Sequence, residues 1–190
     1  MASTRRNSVA LLLALVALSA AAQAQTRVRG NISAVAGDMI TVDQKTHVHV
    51  GEKTEIVYSQ PIALADIKPG DFLGVTSTKG AGGSLTASDV RRFPKPLNPG
   101  HRPFDGRDDQ TMTNATVGAM VQAVTSDGKA GRELTLTYDG GAQKIVVPPS
   151  ASVSDLVPGK RAQLVPGAPV NLTHDSNGVA LRIQVGPPKH

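Results

Sequence analysis

Apolar residues recur at every second position along most of the chain, which is the period of a β-strand with one buried face. Val28 and Ile32 share one face of such a strand, and residues 40–42 and 48–50 continue the alternation. Gly and Asp stand between these runs, where hairpin turns require them. Only residues 61–67, which begin at a Pro and precede a Pro-Gly pair, have the pattern of a short helical turn. The pattern therefore predicts an all-β protein.

The second half of the chain resembles the first. Five short segments recur in the same order: those that begin at Ile32, Ile40, Val48, Ile67 and Ala87 match those that begin at Val121, Leu134, Ile145, Leu164 and Ala180. The spacing changes only between strands, where loops accept insertions at little cost. Residues 155–159 match residues 66–70 as closely as the segment at Leu164 does, and the strand that follows favours the later match. The conserved order predicts an internal repeat.

Each copy of the repeat has room for about five or six short strands, the size of a small closed or partly open barrel. Closure of such a barrel removes exposed sheet edges. Because the chain has no Cys, apolar burial must stabilise it without disulfides. We expect the first β-barrel unit at residues 25–93, the second at residues 116–190 and a Pro-rich connector at residues 94–115.

Residues 1–24 have the three parts of a secretory signal peptide: a start with two Arg and no acid, an apolar run, and small residues before Gln25. The alternative, a membrane anchor, needs roughly 18 or more apolar residues, and this run is shorter. The Arg pair is typical of a twin-arginine signal, but Ser8 stands where a bulky apolar residue is expected. We therefore expect a cleaved signal, export by the general secretory route, and a periplasmic protein without a membrane span.

The charges argue against a nucleic-acid partner. Lys and Arg number 20 and Asp and Glu number 15, and two of the Arg leave with the signal. The remaining basic residues are scattered, whereas binding to phosphates requires a clustered patch. The nearest approach to a cluster is Arg91, Arg92 and Lys95. Two Tyr and three Phe also provide few platforms on which bases could stack.

His47 and His49 suggest a metal site. Residues two apart on a strand point the same way, so both imidazoles could face one ion. A tight zinc or copper site needs three or four protein ligands, and the sequence does not place a third. The candidates for it are Glu52, Glu55, His101 and His174. The alternative is an exposed strand face that alternates with buried Val residues.

No catalytic pattern emerges elsewhere. The Gly-rich run 80–83 is followed by a strand and not by the helix that a phosphate-binding loop requires, so we interpret it as a hairpin tip. The chain has neither a Gly-x-Ser-x-Gly nucleophile elbow nor a His-x-x-x-His zinc helix. We expect no enzyme activity and no cofactor.

The connector at residues 94–115 interrupts the strand pattern with four Pro. It is either a semi-rigid spacer or a strap that docks between the barrels. A spacer has no use for the ring of Phe104, and Pro lowers the entropy that docking costs. We therefore expect a docked strap with Phe104 at least half buried, and we take His101, Arg102, Phe104 and Asp105 as candidate binding residues.

Several segments together resemble an exported bacterial family of uncharacterised function. They are residues 28–32, 64–72, 83–87, 100–105 (GHRPFD) and 111–117 (TMTNATV), of which the last two are the most specific. The resemblance covers nearly all of the chain after the signal. It implies tandem barrels of the oligonucleotide/oligosaccharide-binding (OB) type and a periplasmic location, and it implies no activity.

Two functions are consistent with these observations. The first is a non-enzymatic periplasmic binding or envelope-accessory protein, whose partner is an unidentified envelope protein or small ligand. The alternative is a periplasmic metal-binding protein that uses the His47-Val48-His49 strand.

Overall fold

The computed structural model describes residues 25–104, 106–126 and 129–188. Residues 1–24, where the signal peptide is expected, and Asp105 lie outside them. The strands are β1 (Thr26–Ala36), β2 (Met39–Val42), β3 (Thr46–His49), β4 (Glu55–Pro61), β5 (Phe72–Lys79), β6 (Leu85–Phe93), β7 (Gly100–Phe104), β8 (Arg107–Ser126), β9 (Lys129–Tyr138), β10 (Gly141–Val147), β11 (Ser152–Pro158), β12 (Pro169–His174) and β13 (Ala180–Val185).

Helical structure in the described part of the chain is limited to three short 3-10 turns: Leu64–Asp66, Ala81–Gly83 and Arg161–Gln163. The first of them is the short turn expected within residues 61–67. The predicted all-β class is confirmed.

Ten of the strands form two five-stranded barrels with the same strand order. In barrel 1 the order is β3-β2-β1-β12-β13, and a parallel bridge between His49 and Val179 joins β3 to the start of β13. In barrel 2 the order is β10-β9-β8-β5-β6, and a parallel pairing of β6 with β10 closes the ring. Five strands in this arrangement make the small OB-like barrel that the sequence resemblance implies.

Each barrel takes its strands from both halves of the chain. Strands β1 to β3 of the first half close with β12 and β13 of the second, and β8 to β10 of the second half close with β5 and β6 of the first. The boundaries expected from the sequence, 25–93 and 116–190, separate the two halves, whereas the barrels exchange strands across them. Hydrophobic alternation marks where strands are, but it does not specify which strands pair.

The hydrogen-bond register shows which residues are equivalent in the two barrels. Ile32 pairs with Val42 in barrel 1, and the equivalent pair in barrel 2 joins Val117 to Leu136. The sequence comparison matches Ile32 with Val121 instead, which lies further along β8. A long strand with apolar residues at every second position leaves its register undetermined, because a shift by an even number of residues keeps the same face buried.

Two separate apolar cores fill the barrels. The core of barrel 1 contains Ile32, Ile40, Val42, Val48, Val50, Leu164, Ala168, Val170, Leu172, Ala180, Ile183 and Val185. The core of barrel 2 contains Ile67, Leu73, Val75, Leu85, Ala87, Val90, Ala115, Val117, Leu134, Leu136, Ile145 and Val147. Truncating a fully buried Leu or Ile to Ala in such a core costs about 2–5 kcal/mol. Both halves of the sequence contribute to each core, so neither half carries a complete one.

The strands β4 and β11 join the barrels. They pair antiparallel with each other, with Ser59 opposite Leu156, while β11 runs parallel to β6 and β4 runs parallel to β13. The four strands β6-β11-β4-β13 form one continuous surface, which we call the bridging sheet. It holds the barrels side by side through backbone hydrogen bonds.

The connector expected at residues 94–115 is largely strand. Strand β7 pairs with β8, and β8 pairs on its other side with β5, so Thr113 faces both His101 and Val75. Thr111 and Thr113 are almost completely buried. The hydrophobic pattern is interrupted here because these inward positions carry hydroxyl groups instead of apolar side chains. The expected boundary at residue 116 therefore falls inside β8.

Candidate functional site

A groove of about 1220 Å³ runs between the barrels. Its floor is one face of the bridging sheet, where the partly exposed Ser59 of β4 and the mostly buried Ser154 of β11 line it. The outer faces of β1, β12 and β13 form one wall, and those of β5, β6, β8 and β7 form the other. The groove exists because β4 and β11 place two convex barrels against each other at a fixed distance.

Arginine dominates the charge of this groove. Its described lining includes five Arg and a single acidic residue, Asp89, and the Arg are Arg27, Arg29, Arg91, Arg102 and Arg182. Asp89 is paired with Arg91, with Nε and Oδ2 2.6 Å apart. Glu55 contacts Arg182 from outside the lining, at 3.2 Å. Among the described lining residues, basic side chains therefore outnumber acidic ones five to one.

Arg29 lies close to two other positive charges of the groove. Burial, followed by the fields of Arg27 and Arg91, lowers the pKa of its guanidinium below the usual value. Its guanidinium carbon is 5.0 Å from the centre of the Phe104 ring, an arrangement that favours a cation over the ring face. The charges of Arg27 and Arg91 are thus near enough to act on Arg29.

Hydrogen bonds fix the polar side chains on the floor of the groove. Arg91 Nη1 donates to Gln184 Oε1 at 3.3 Å, and Gln184 Nε2 donates to Ser59 Oγ at 2.9 Å. Asp89 is mostly buried, which raises the pKa of its carboxyl group, while the charge of Arg91 and a hydrogen bond with Ser152 act in the opposite direction. The side chains are thus ordered before any ligand arrives, which lowers the entropic cost of binding.

Strand β7 is the strap that the sequence predicts. Phe104 is mostly buried and lies against Arg29 of barrel 1, although β7 itself pairs with β8 of barrel 2. Arg102 Nη1 donates to the carbonyl oxygen of Asn98 at 3.1 Å. The buried Asn114 amide donates to the same carbonyl at 3.2 Å. The strap therefore contacts both barrels, as expected.

The strap residues are divided between two places. Arg102 and Phe104 line the groove, whereas His101 is not part of the lining. Instead, His101 Nδ1 lies 2.8 Å from the buried hydroxyl of Thr113. Burial, and then the charge of Lys79, lowers the pKa of this imidazole. Asp105 lies outside the described residues.

The His47 and His49 imidazoles have other partners. His47 Nδ1 lies 3.1 Å from Thr41 Oγ1, and His49 Nε2 lies 2.5 Å from Asp38 Oδ2. Within residues 25–104, 106–126 and 129–188 there is no group of three or more His, Asp or Glu placed to hold an ion. None of the candidate third ligands therefore completes a site at this strand in the described structure.

Arg91 and Arg92, adjacent in the sequence, have different environments. Arg91 lines the groove. Arg92 instead makes two hydrogen bonds of 2.6 Å to Asp155 and one of 3.2 Å to Asp71. The hydrogen bond with Asp155 first, and then the hydrogen bond with Asp71 and the charges of both carboxylates, raise the pKa of its guanidinium further. Successive residues of a strand point to opposite faces, so the pair does not form a basic patch.

Arg27, Arg29 and Arg182 line the groove, although the sequence pattern does not mark them as site residues. A signal was present: Arg27 and Arg29 are two apart on a predicted strand and thus share one face. What faces that strand depends on the exchange of strands between the halves, which the sequence pattern does not show.

The described part of the chain has no helix that is long and apolar enough to cross a membrane. No family model, no curated protein and no solved structure matches the chain.

Proposed function

We propose that the protein is a non-enzymatic binding protein of the periplasm and that its ligand occupies the groove between the barrels. The observation that carries this proposal is the charge of the groove, where the described lining has five Arg and one Asp. A cleft lined mainly by charges of one sign focuses their field and attracts ligands of the opposite charge. At about 1220 Å³ the groove also exceeds the roughly 300–1,000 Å³ of ordinary small-ligand pockets, so it has room for a larger ligand.

The side chains favour binding over catalysis. Among the described lining residues there is no His or Lys, which are frequent general bases. Asp89, the one carboxylate, is held by Arg91 and by Ser152. We therefore assign the groove a recognition role.

The periplasmic location rests on residues 1–24 as a cleaved signal peptide. Intact-mass measurement of the exported protein tests it, because cleavage after Ala24 leaves a mature chain that begins at Gln25. Recovery of the full-length chain in the membrane fraction would contradict the location.

We also propose that the two halves of the chain descend from one duplicated unit and that the chain belongs to the exported family that it resembles. The matched sequence segments and the identical strand order of the two barrels support the duplication. A duplicated unit that first paired with a second copy of itself would leave barrels that exchange strands, as these do.

A groove-filling variant tests the binding function. Ser59→Trp places a large ring on the groove floor, and Thr137→Trp is its matched control, because Thr137 is exposed on β9 outside the groove. Both purified proteins are incubated with an extract of periplasmic small molecules and glycans, desalted and examined by native mass spectrometry. We expect the wild type and Thr137→Trp to retain a ligand mass that Ser59→Trp loses. Equal retention by all three, or by none, would contradict a binding function for the groove.

A further inference from the structure

We infer that the ligand of the groove is an acidic oligosaccharide, a sugar chain with several carboxylate groups; this inference rests on the proposed function. It depends on three features of the described lining: how the positive charges are distributed, which neutral side chains lie between them, and which edges of the bridging sheet are available.

The positive charges are distributed along the groove. Arg27 and Arg29 belong to β1, Arg91 to β6, Arg102 to β7 and Arg182 to β13. Arg27 lies in register with Thr173 of β12, and Thr173 lies in register with Arg182 of β13, so Arg27 and Arg182 are two strands, about 10 Å, apart. A single phosphate or carboxylate would engage one part of this set. A ligand with several anionic groups along its length engages more of it.

Carboxylates suit these guanidinium groups. The planar guanidinium binds a carboxylate through two parallel hydrogen bonds, as Arg92 binds Asp155 elsewhere in this chain. Arg27 and Arg29, two apart on one strand face, are separated by about 7 Å of backbone. Acidic groups on a sugar chain can meet such separated cations while the rings between them remain uncharged.

The side chains between the Arg residues match a sugar. Hydroxyl and amide groups alternate with small apolar surfaces, and those in the lining include Ser59, Ser88, Ser154, Gln110, Asn171, Thr173, Gln184, Met112, Phe93 and Leu156. Hydroxyl and amide side chains donate and accept hydrogen bonds, which sugar hydroxyls require, and the apolar surfaces suit the carbon faces of sugar rings. A bare polyanion such as polyphosphate has neither hydroxyl groups nor carbon faces to match these side chains.

Two other anionic polymers fit less well. A nucleic acid binds through stacked aromatic platforms, but Phe104 is already covered by Arg29 and Phe93 makes an edge contact with Phe72. An acidic peptide binds most readily by adding a strand to an open sheet edge. The strands of the groove floor, β11 and β4, are each paired on both sides, so the floor has no such edge.

Calorimetry with the mature chain tests the inference, with oligogalacturonate as the probe. Its methyl ester is the matched ligand control, because it keeps the sugar chain and removes the charge. We expect the acid to bind at least about tenfold more tightly than the ester and more weakly as salt rises. Arg27→Gln and Arg29→Gln should each weaken binding about tenfold. Arg107→Gln, an exposed Arg outside the groove, should leave it unchanged.

The other outcomes separate this inference from the proposed function. If acid and ester bind equally and Ser59→Trp abolishes both, the groove binds sugars and the acidic class is wrong. If polyphosphate or a single-stranded oligonucleotide binds and depends on Arg27 and Arg29 while the acidic sugar does not bind, the sugar class is wrong. If no probe binds, the acidic-oligosaccharide inference is overturned, while retention of a ligand mass by the wild type but not by Ser59→Trp would still support the groove as a binding site.

Discussion

Each barrel joins the bridging sheet at a junction between two parallel strands, β6 and β11 for barrel 2 and β13 and β4 for barrel 1. The strands pair in the same register at both junctions, but one junction has an ion pair where the other has an apolar contact. On the side of barrel 2, Arg92 of β6 lies beside Asp155 of β11. At the equivalent place on the side of barrel 1, Val185 of β13 lies beside Tyr58 of β4. Val185 is completely buried and belongs to the core of barrel 1, whereas about a quarter of each side chain of the charged pair is exposed, 28% for Arg92 and 23% for Asp155.

The difference shows that the fold requires the strand register and not a particular contact. An apolar pair contributes stability through burial without specifying a direction. The charged pair is directional: Arg92 also donates to the carbonyl of Asp66 and to the carboxylate of Asp71, so it fixes the turn that leads into β5. Arg91 precedes Arg92 on the same strand, so its side chain points to the opposite face, towards the groove.

The largest effect is expected when both junctions are cut. A fragment of residues 99–190 contains β7 to β13 but lacks β1 to β6, so neither core is complete. We expect this fragment, and residues 116–190, to be largely unfolded alone by circular dichroism. Mixing residues 25–98 with residues 99–190 should restore a strand spectrum and a cooperative thermal transition. A folded, cooperative 116–190 fragment would show that the exchanged strands are dispensable.

Single substitutions measure how much each junction contributes to stability. Arg92→Met leaves Asp155 and Asp71 without their partner, and because the pair is partly exposed, we expect a loss of about 1–3 kcal/mol in the free energy of unfolding. Val185→Ala should cost about 2 kcal/mol through lost burial. Urea denaturation measures both.

Salt distinguishes the two mechanisms. In about 1 M NaCl the cost of Arg92→Met should shrink, because screening weakens the ion pair in the wild type. The cost of Val185→Ala should not shrink. If both costs respond to salt in the same way, the chemical contrast between the junctions does not control their stability.

A smaller effect is expected at the strap, strand β7. In the described structure no strand pairs with barrel 1 in the equivalent place. Phe104→Ala removes a mostly buried ring and its contact with Arg29, which should cost about 1–2 kcal/mol. Chemical denaturation measures the cost, and limited proteolysis of the wild type reports whether β7 stays docked. Unchanged stability together with rapid cutting between Leu97 and Asp109 would make residues 94–106 a plain tether.

The smallest effect is expected at His47 and His49. Both lie on the surface of barrel 1 with local partners, so replacing both with Ala should change the free energy of unfolding by less than about 1 kcal/mol. Because no third ligand stands beside them among the described residues, we expect calorimetry to show no stoichiometric Zn²⁺ binding by either protein. A tight site in the wild type that the double variant loses would establish the metal-binding alternative.

Parts of the fold and the candidate site could be predicted from particular residues. The alternation at Val28 and Ile32 predicts β1, and Phe104 among four Pro predicts a docked strap. The first part of β8 could not be predicted, because its inward positions carry the hydroxyl groups of Thr111 and Thr113. Polar residues at these positions give the hydrophobic pattern of a loop. Arg27 and Arg29 were visible as a pair on one strand face, but their importance depends on Phe104 and Arg91, which lie far from them in the sequence.

The sequence by itself determined that the chain forms short strands and small barrels, because alternation and turn residues act over a few neighbouring positions. Only the tertiary structure decided that the halves exchange strands. The strands β4 and β11 carry the chain from one barrel to the other, and alternation is the same whether a strand pairs within its own half or with the other. Since the groove and its arginines exist only where the two exchanged barrels face each other, the site is a consequence of that pairing.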